Sequence, residues 1–229
     1  MRTKKASQNI EIKIWKMKYS AKSKKFFSKE EKEQIKKTTM VTELRTSGEI
    51  AVVVVDHSSS YTEAEIIGGF FLGSLLSLII AVLFFHSSIW FYIPCSFLFY
   101  FPFRVFFKKY PALKASFIGK KRMQNAVRDR ALKAFYENGL YRTKNQTGVL
   151  FFLSILERKV WVLADKGIHE KITQPTLDLF ARKVSKGIRE GRSCDALCEG
   201  IKEIGELLAK HYPVAAGDID ELTDEVICD

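Results

Sequence analysis

The sequence predicts an α/β domain interrupted by a two-helix transmembrane hairpin. Three observations carry this. Residues 66–107 are 42 positions with one charged residue, Arg104, while the other 187 positions hold the remaining 62 charges. Glu49 to Asp56, EIAVVVVD, is a β-branched run of strand length, apolar on both faces, as in a central strand covered on two sides. Outside the apolar stretch the order is helix, strand, hairpin, helix, strand, strand, helix, helix, which suits one α/β domain with an insertion. The mean hydropathy of −0.05 therefore averages over two solvents. With 47% hydrophobic residues, disorder is excluded for the bulk of the chain.

Four divisions follow: a basic segment 1–27, a discontinuous domain 28–65 and 108–213, the hairpin 66–107, and an acidic tail 214–229 expected to fray. Phe26-Phe27-Ser28-Lys29-Glu30-Glu31 opens a helix, with Ser28 and Glu31 spaced as a capping box. This helix is expected to reach about Thr46 and to bury Ile35, Val41 and Leu44, before Ser47-Gly48 ends it. The strand follows.

Ile66 to Phe85 is an uncharged run long enough, at roughly 30 Å, to cross a bilayer. The second run, from Ser88, contains Pro94 and Pro102 and is expected to kink. A hairpin that spans and one that dips in and returns are both compatible with it. Gly69, Gly73, Ser77 and Ala81 form a stripe of small residues, which lets helix backbones approach closely in lipid. The partner is the second helix or another copy. Residues 1–37 carry 13 Lys/Arg against 4 Glu, and further basic residues follow the second run, so both ends are expected in the cytoplasm at the inner membrane. No apolar h-region follows the basic start, so no signal peptide is expected. The basic N-terminus suits anionic lipid headgroups; nucleic acid is not the expected partner.

After Lys120, Met123, Val127, Ala131, Ala134 and Phe135 recur at helical spacing, and Asn138-Gly139 ends the run. Thr147 to Leu156 reads as the second strand and Val160 to Asp165 as its antiparallel neighbour. Helices over about Pro175–Glu190 and Ser193–His211 close the domain, the last with Ala196, Leu197, Ile201, Ile204, Leu207 and Leu208 inward. Cys194 and Cys198 lie four apart on that helix and read as structural thiols.

If strands one and two are parallel, three segments share one sheet edge: Thr46 to Glu49, Thr143 to Thr147, and Asp165 to Gly167. Arg45, Thr46, Glu49, Thr143, Asn145, Thr147 and Asp165 are the candidate binding residues. Glu49 and Asp165 are the candidate ligands for a hard divalent cation, Ca or Mg, which takes oxygen donors. Ordinary ion pairs and turn caps are the alternative for the same residues. No Ser/His/Asp or Cys/His spacing marks a nucleophile, and no Gly-rich phosphate loop is present.

Several motifs resemble the TPM domain family, in particular bacterial members with an inserted membrane hairpin. They are Phe26 to Glu31, Arg45 to Ile50, Gly139-Leu140-Tyr141-Arg142-Thr143, Asn145 to Leu150, Leu156 to Val160, Leu163 to Ile168, Gly191-Arg192 and Gly205 to Pro213. Where the family usually has Asp-Asn-Gly, this chain has Gln146-Thr147-Gly148. The resemblance implies a Rossmann-like three-layer sandwich with a mixed sheet. For function it implies either of two classes. One is a non-enzymatic interaction module in assembly, repair or quality control of membrane proteins, as for plant relatives linked to photosystem repair. The other is a divalent-cation-dependent phosphatase.

Overall fold

A computed structural model describes residues 21–84, 89–110, 113, 117–214 and 222–229. It divides into two compact units, one of Met1–Ser58 with Val127–Asp229 and one of Ser59–Ala126.

The first unit is built on a four-stranded mixed sheet. Its strands are β1 (Glu49–Val55), β2 (Gly148–Ser154), β3 (Lys159–Ala164) and β4 (Ile227–Cys228), in the spatial order β3-β2-β1-β4. β1 is parallel to β2, with Glu49 opposite Gly148, and parallel to β4; β2 and β3 are antiparallel. All seven residues of β1 and all seven of β2 are buried, as their lack of polar alternation requires.

Side-chain alternation splits the core into two layers. Ile50, Val52, Val54, Val149, Phe151 and Leu153 meet α2 (Lys29–Glu43), α7 (Gln174–Arg189) and α8 (Ser193–His211) on one face. Ala51, Val53, Val55, Leu150 and Phe152 meet α5 (Lys120–Glu137), through Val127, Ala131, Ala134 and Phe135, on the other. Helices on both faces of a mixed sheet make the three-layer sandwich that the motifs imply. A short α1 (Ala21–Phe26) precedes α2, and α6 (Lys166–His169) follows β3.

The N-terminus of α2 has the expected capping box: Ser28 Oγ accepts from Glu31 N at 3.1 Å, and Glu31 Oε2 accepts from Ser28 N at 2.7 Å. The rest of that helix departs from expectation. It ends at Glu43, and its buried residues are Ile35, Thr39 and Thr42. Val41 and Leu44 are 49% and 79% exposed. The face towards α8 follows the spacing 35–39–42, so Val41 falls one position off it and Leu44 lies past the end of the helix. Buried threonines replaced the leucine-type stripe that hydrophobicity alone looks for.

The C-terminal tail also departs from expectation. Residues 227–228 form β4 on the outer edge of β1, and Asp229 N donates to Val54 O at 3.0 Å. Leu222 and Ile227 pack on the α5 layer and Val226 on the other. Val-Ile-Cys is too short a run for strand periodicity, so only the tertiary pairing shows it. The boundaries of β1 to β3, α7 and α8 differ by at most two residues from those expected. The turn after α5 ends on Gly139 at φ 76°, the left-handed conformation expected of a residue just past a helix.

The second unit holds α3 (Thr62–Phe84) and α4 (Ile89–Lys109), which continues through Pro94 and Pro102. Both are long and apolar enough to cross a membrane. Only 28% of the most apolar stretch of α3 and 6% of that of α4 are buried. The small-residue stripe faces α4. A Cβ on Gly69 would lie 3.0 Å from Arg104 N, and one on Gly73 would lie 3.0 Å from Tyr100 N. Ser77 Oγ donates to Tyr92 O at 2.8 Å, and Ala81 is buried.

Candidate functional site

The three segments expected at one sheet edge do meet there, but mainly through their backbones. Thr147 Oγ donates to Ser47 O at 2.8 Å and Glu49 N to Thr147 O at 3.2 Å, joining the first two. Asp165 N donates to Gly148 O at 2.9 Å, joining the third. Thr143 Oγ accepts from Thr147 N at 3.1 Å and donates to Leu140 O. Thr46 Oγ donates to Tyr212 O at 2.7 Å, next to a bridge between Thr46 and Pro213. The Tyr212 hydroxyl donates to Gly167 O at 2.5 Å. The three threonine hydroxyls thus act as staples between loops.

Two glycines let the backbones touch. A Cβ on Gly148 would sit 2.7 Å from Leu140 O, and one on Gly167 would sit 2.6 Å from Asn145 O and 2.7 Å from Gln146 O. This explains physically why the motif positions 148 and 167 are glycine.

The two candidate cation ligands flank this junction. Asp165 caps α6 by accepting from Lys166 N at 2.7 Å, and its Oδ2 is buried without a hydrogen-bond partner among the described residues. Glu49 is buried on β1, and β2 with Gly148 lies between β1 and β3, the strand that Asp165 directly follows. Among the described residues no group of three or more His, Cys, Asp and Glu is arranged to hold a metal. Arg45 and Asn145 are exposed.

Glu49 keeps other company, which the sequence did not reveal. It lies near Glu43, whose Oε1 accepts from Ile50 N at 2.6 Å and whose carboxyl is hydrogen-bonded to Asp224 from the tail. Burial, and then the Asp224 carboxylate that shares its proton, push the Glu43 carboxyl up to about 10. Lys36 and Glu225 pair beside it at 3.4 Å. The folded pKa lies above the unfolded value of 4.5. The stability from this proton is therefore fully present below pH 4.5 and is lost as pH rises towards about 10. Glu43→Gln keeps the acceptor for Ile50 and a donor for Asp224. The variant is expected to match the native chain near pH 4.5 and to melt higher with rising pH, by about 2–4 °C per kcal/mol. Thermal scans across that range check it; parallel curves would refute the shared proton.

At the opposite edge, where β1 and β2 end, lies a second buried polar group. Asp56 Oδ1 accepts from Ser23 N at 2.5 Å. Glu157 accepts from Ser58 N at 2.9 Å and from the Ser154 hydroxyl, which is 2.8 Å from Ser58 Oγ. These bonds fix the chain as it leaves β1 for the second unit. The sequence clue was the polar run Asp56-His57-Ser58 after an apolar strand. Its partners Ser154 and Glu157 lie almost a hundred positions away and carried no signal.

Cys194 and Cys198 are buried and free. Burial first, then the neighbouring Cys198, pushes the Cys194 thiol up to about 12, which suits a packed thiol and not a nucleophile.

Residues 117–207 match the family model described as the TPM domain. The NMR structure of the BA42 protein from the psychrophilic bacterium Bizionia argentinensis shares the fold, with a TM-score of 0.56 and 21% identity, over 88% of this chain and 94% of that one. No curated protein matches the chain. The matched segment contains β2, β3, α6, α7, most of α8 and both glycines of the loop junction. Over residues 117–207, the chain is similar to the TPM domain family.

Proposed function

We propose that this is a membrane-anchored TPM-domain protein whose α/β unit is an interaction module for other membrane proteins, in their assembly, repair or quality control. The observation that carries the reading is the pair of apolar helices set in the chain between β1 and α5. Their large side chains point outward: Leu83, Phe84, Trp90 and Leu98 are 70%, 72%, 85% and 68% exposed. A bilayer is the solvent such a surface fits.

The excess of Lys and Arg on both flanks supports a topology with both ends in the cytoplasm. The basic segment 1–27 then lies near anionic headgroups, at about 1 kcal/mol per residue close to the surface. A tethered domain meets its membrane partners at raised effective concentration, so modest contacts suffice.

Affinity capture from solubilised membranes tests this. Membrane proteins are expected to co-purify with the native chain at defined stoichiometry. In parallel, the purified chain is given a phosphomonoester with and without Mg or Ca. Cation-dependent turnover, abolished by Glu49→Gln or Asp165→Asn, would overturn the reading in favour of a phosphatase.

A further inference from the structure

The outer side of the α2–α8 pair carries a groove that none of the motifs accounts for. It has a volume of about 460 Å³. One wall includes Lys37 and Val41 of α2 with Arg45 just after it, and its α8 wall includes Lys202 and Glu206. The helices touch at its floor, where Gly205 has no Cβ to displace the Thr42 methyl. Two features set this surface apart from an ordinary solvated face. Met40, Val41 and Leu44 expose 48%, 49% and 79% of their surface around it. Lys37, Arg45 and Lys202 are exposed and make no ion pair among the described residues, even though Lys36 and Lys183 on the same helical layer do.

Resting on the interaction-module reading, we infer that this groove docks an acidic amphipathic helix of a partner protein. Lys37, Val41 and Arg45 follow at intervals of four in sequence; Lys37 and Val41 lie about 6 Å apart along α2, and Arg45 lines the same groove two residues past the end of that helix. The complement is a helix with acid, apolar residue and acid at the same spacing, its apolar residue over Val41. Lys202 meets either acid from across the groove. Concavity favours a helix over a lipid surface, because a flat bilayer cannot fill a cleft between two helices.

The test uses the full chain in phosphatidylcholine nanodiscs. The probe is an alanine-based helical peptide with Glu, Leu and Glu four positions apart; the control peptide has Lys in place of both Glu. The Glu peptide is expected to bind, to weaken with salt, and to bind at least tenfold better than the Lys peptide. Lys37→Glu with Arg45→Glu should cost about tenfold or more, roughly 1.4 kcal/mol. Val41→Ser should weaken binding without changing its salt dependence, and Lys171→Glu, at an exposed cation elsewhere, should leave it unchanged. Equal binding of the two peptides, or insensitivity to the charge reversal, overturns the proposal. So does loss of phosphatidylserine-vesicle binding on the same reversal with no discrimination between peptides, which would assign the groove to lipid. If these fail while the native chain still captures membrane proteins, the groove is wrong and the module reading stands. If capture fails too, the module reading falls with it.

Discussion

Gly73→Leu is expected to force α3 and α4 apart. A Cβ alone would come within 3.0 Å of Tyr100 N and 3.1 Å of Phe99 C, both backbone atoms that cannot rotate away. Leucine adds three more carbons in the same place. Overpacking of this kind costs about 1–3 kcal/mol, and here the contact to be lost is the helix pair itself. Van der Waals packing and small residues hold such pairs together in lipid, where no hydrophobic force drives helices together. The Ser77 to Tyr92 bond and the 2.6 Å contact between the Ser74 and Tyr92 hydroxyls would open with it. Leu78→Ala deletes three carbons from a side chain that is 50% exposed on α3 and should matter less. Protease susceptibility and thermal scans in detergent compare the two. A neutral Gly73→Leu would refute the packing.

Gly167→Val is expected to open the junction of loops at the N-terminal edge of the sheet. Its Cβ would overlap Asn145 O and Gln146 O, so either α6 or the turn before β2 must move. The cost should reach the upper part of the 1–3 kcal/mol range, because the neighbours are backbone. It should also break the bond from the Tyr212 hydroxyl to Gly167 O. Tyr212→Phe removes that bond alone and should cost about 1 kcal/mol. Melting temperatures should therefore fall in the order native, Tyr212→Phe, Gly167→Val. The reverse order would mean that Tyr212, and not close backbone packing, holds the junction.

The architecture was legible because its signals are redundant. The charge-free stretch, two strands apolar on both faces and the capping box at Ser28 each speak through local composition. The convergence of three segments at one edge followed from strand order and direction alone. The chemistry of that edge did not. Thr46, Thr143 and Thr147 look the same in sequence whether they bind a ligand or staple loops, and the structure uses them as staples. Val41 and Leu44 read as core by their hydrophobicity, but the helix phase that matters passes through Thr39 and Thr42. The tail looked frayed because it is acidic. It is held by a parallel pairing to β1 and by a proton shared between Glu43 and Asp224, neither of which has a local sequence signal.

The central claim is that a TPM-type α/β unit is tied to a bilayer by the two helices inserted in its chain. The most direct test is alkaline carbonate extraction of membranes carrying the full chain. The chain should stay in the membrane pellet at high pH and leave it only with detergent. Release into the supernatant by carbonate alone would contradict insertion and would return α3 and α4 to the role of a surface for another protein.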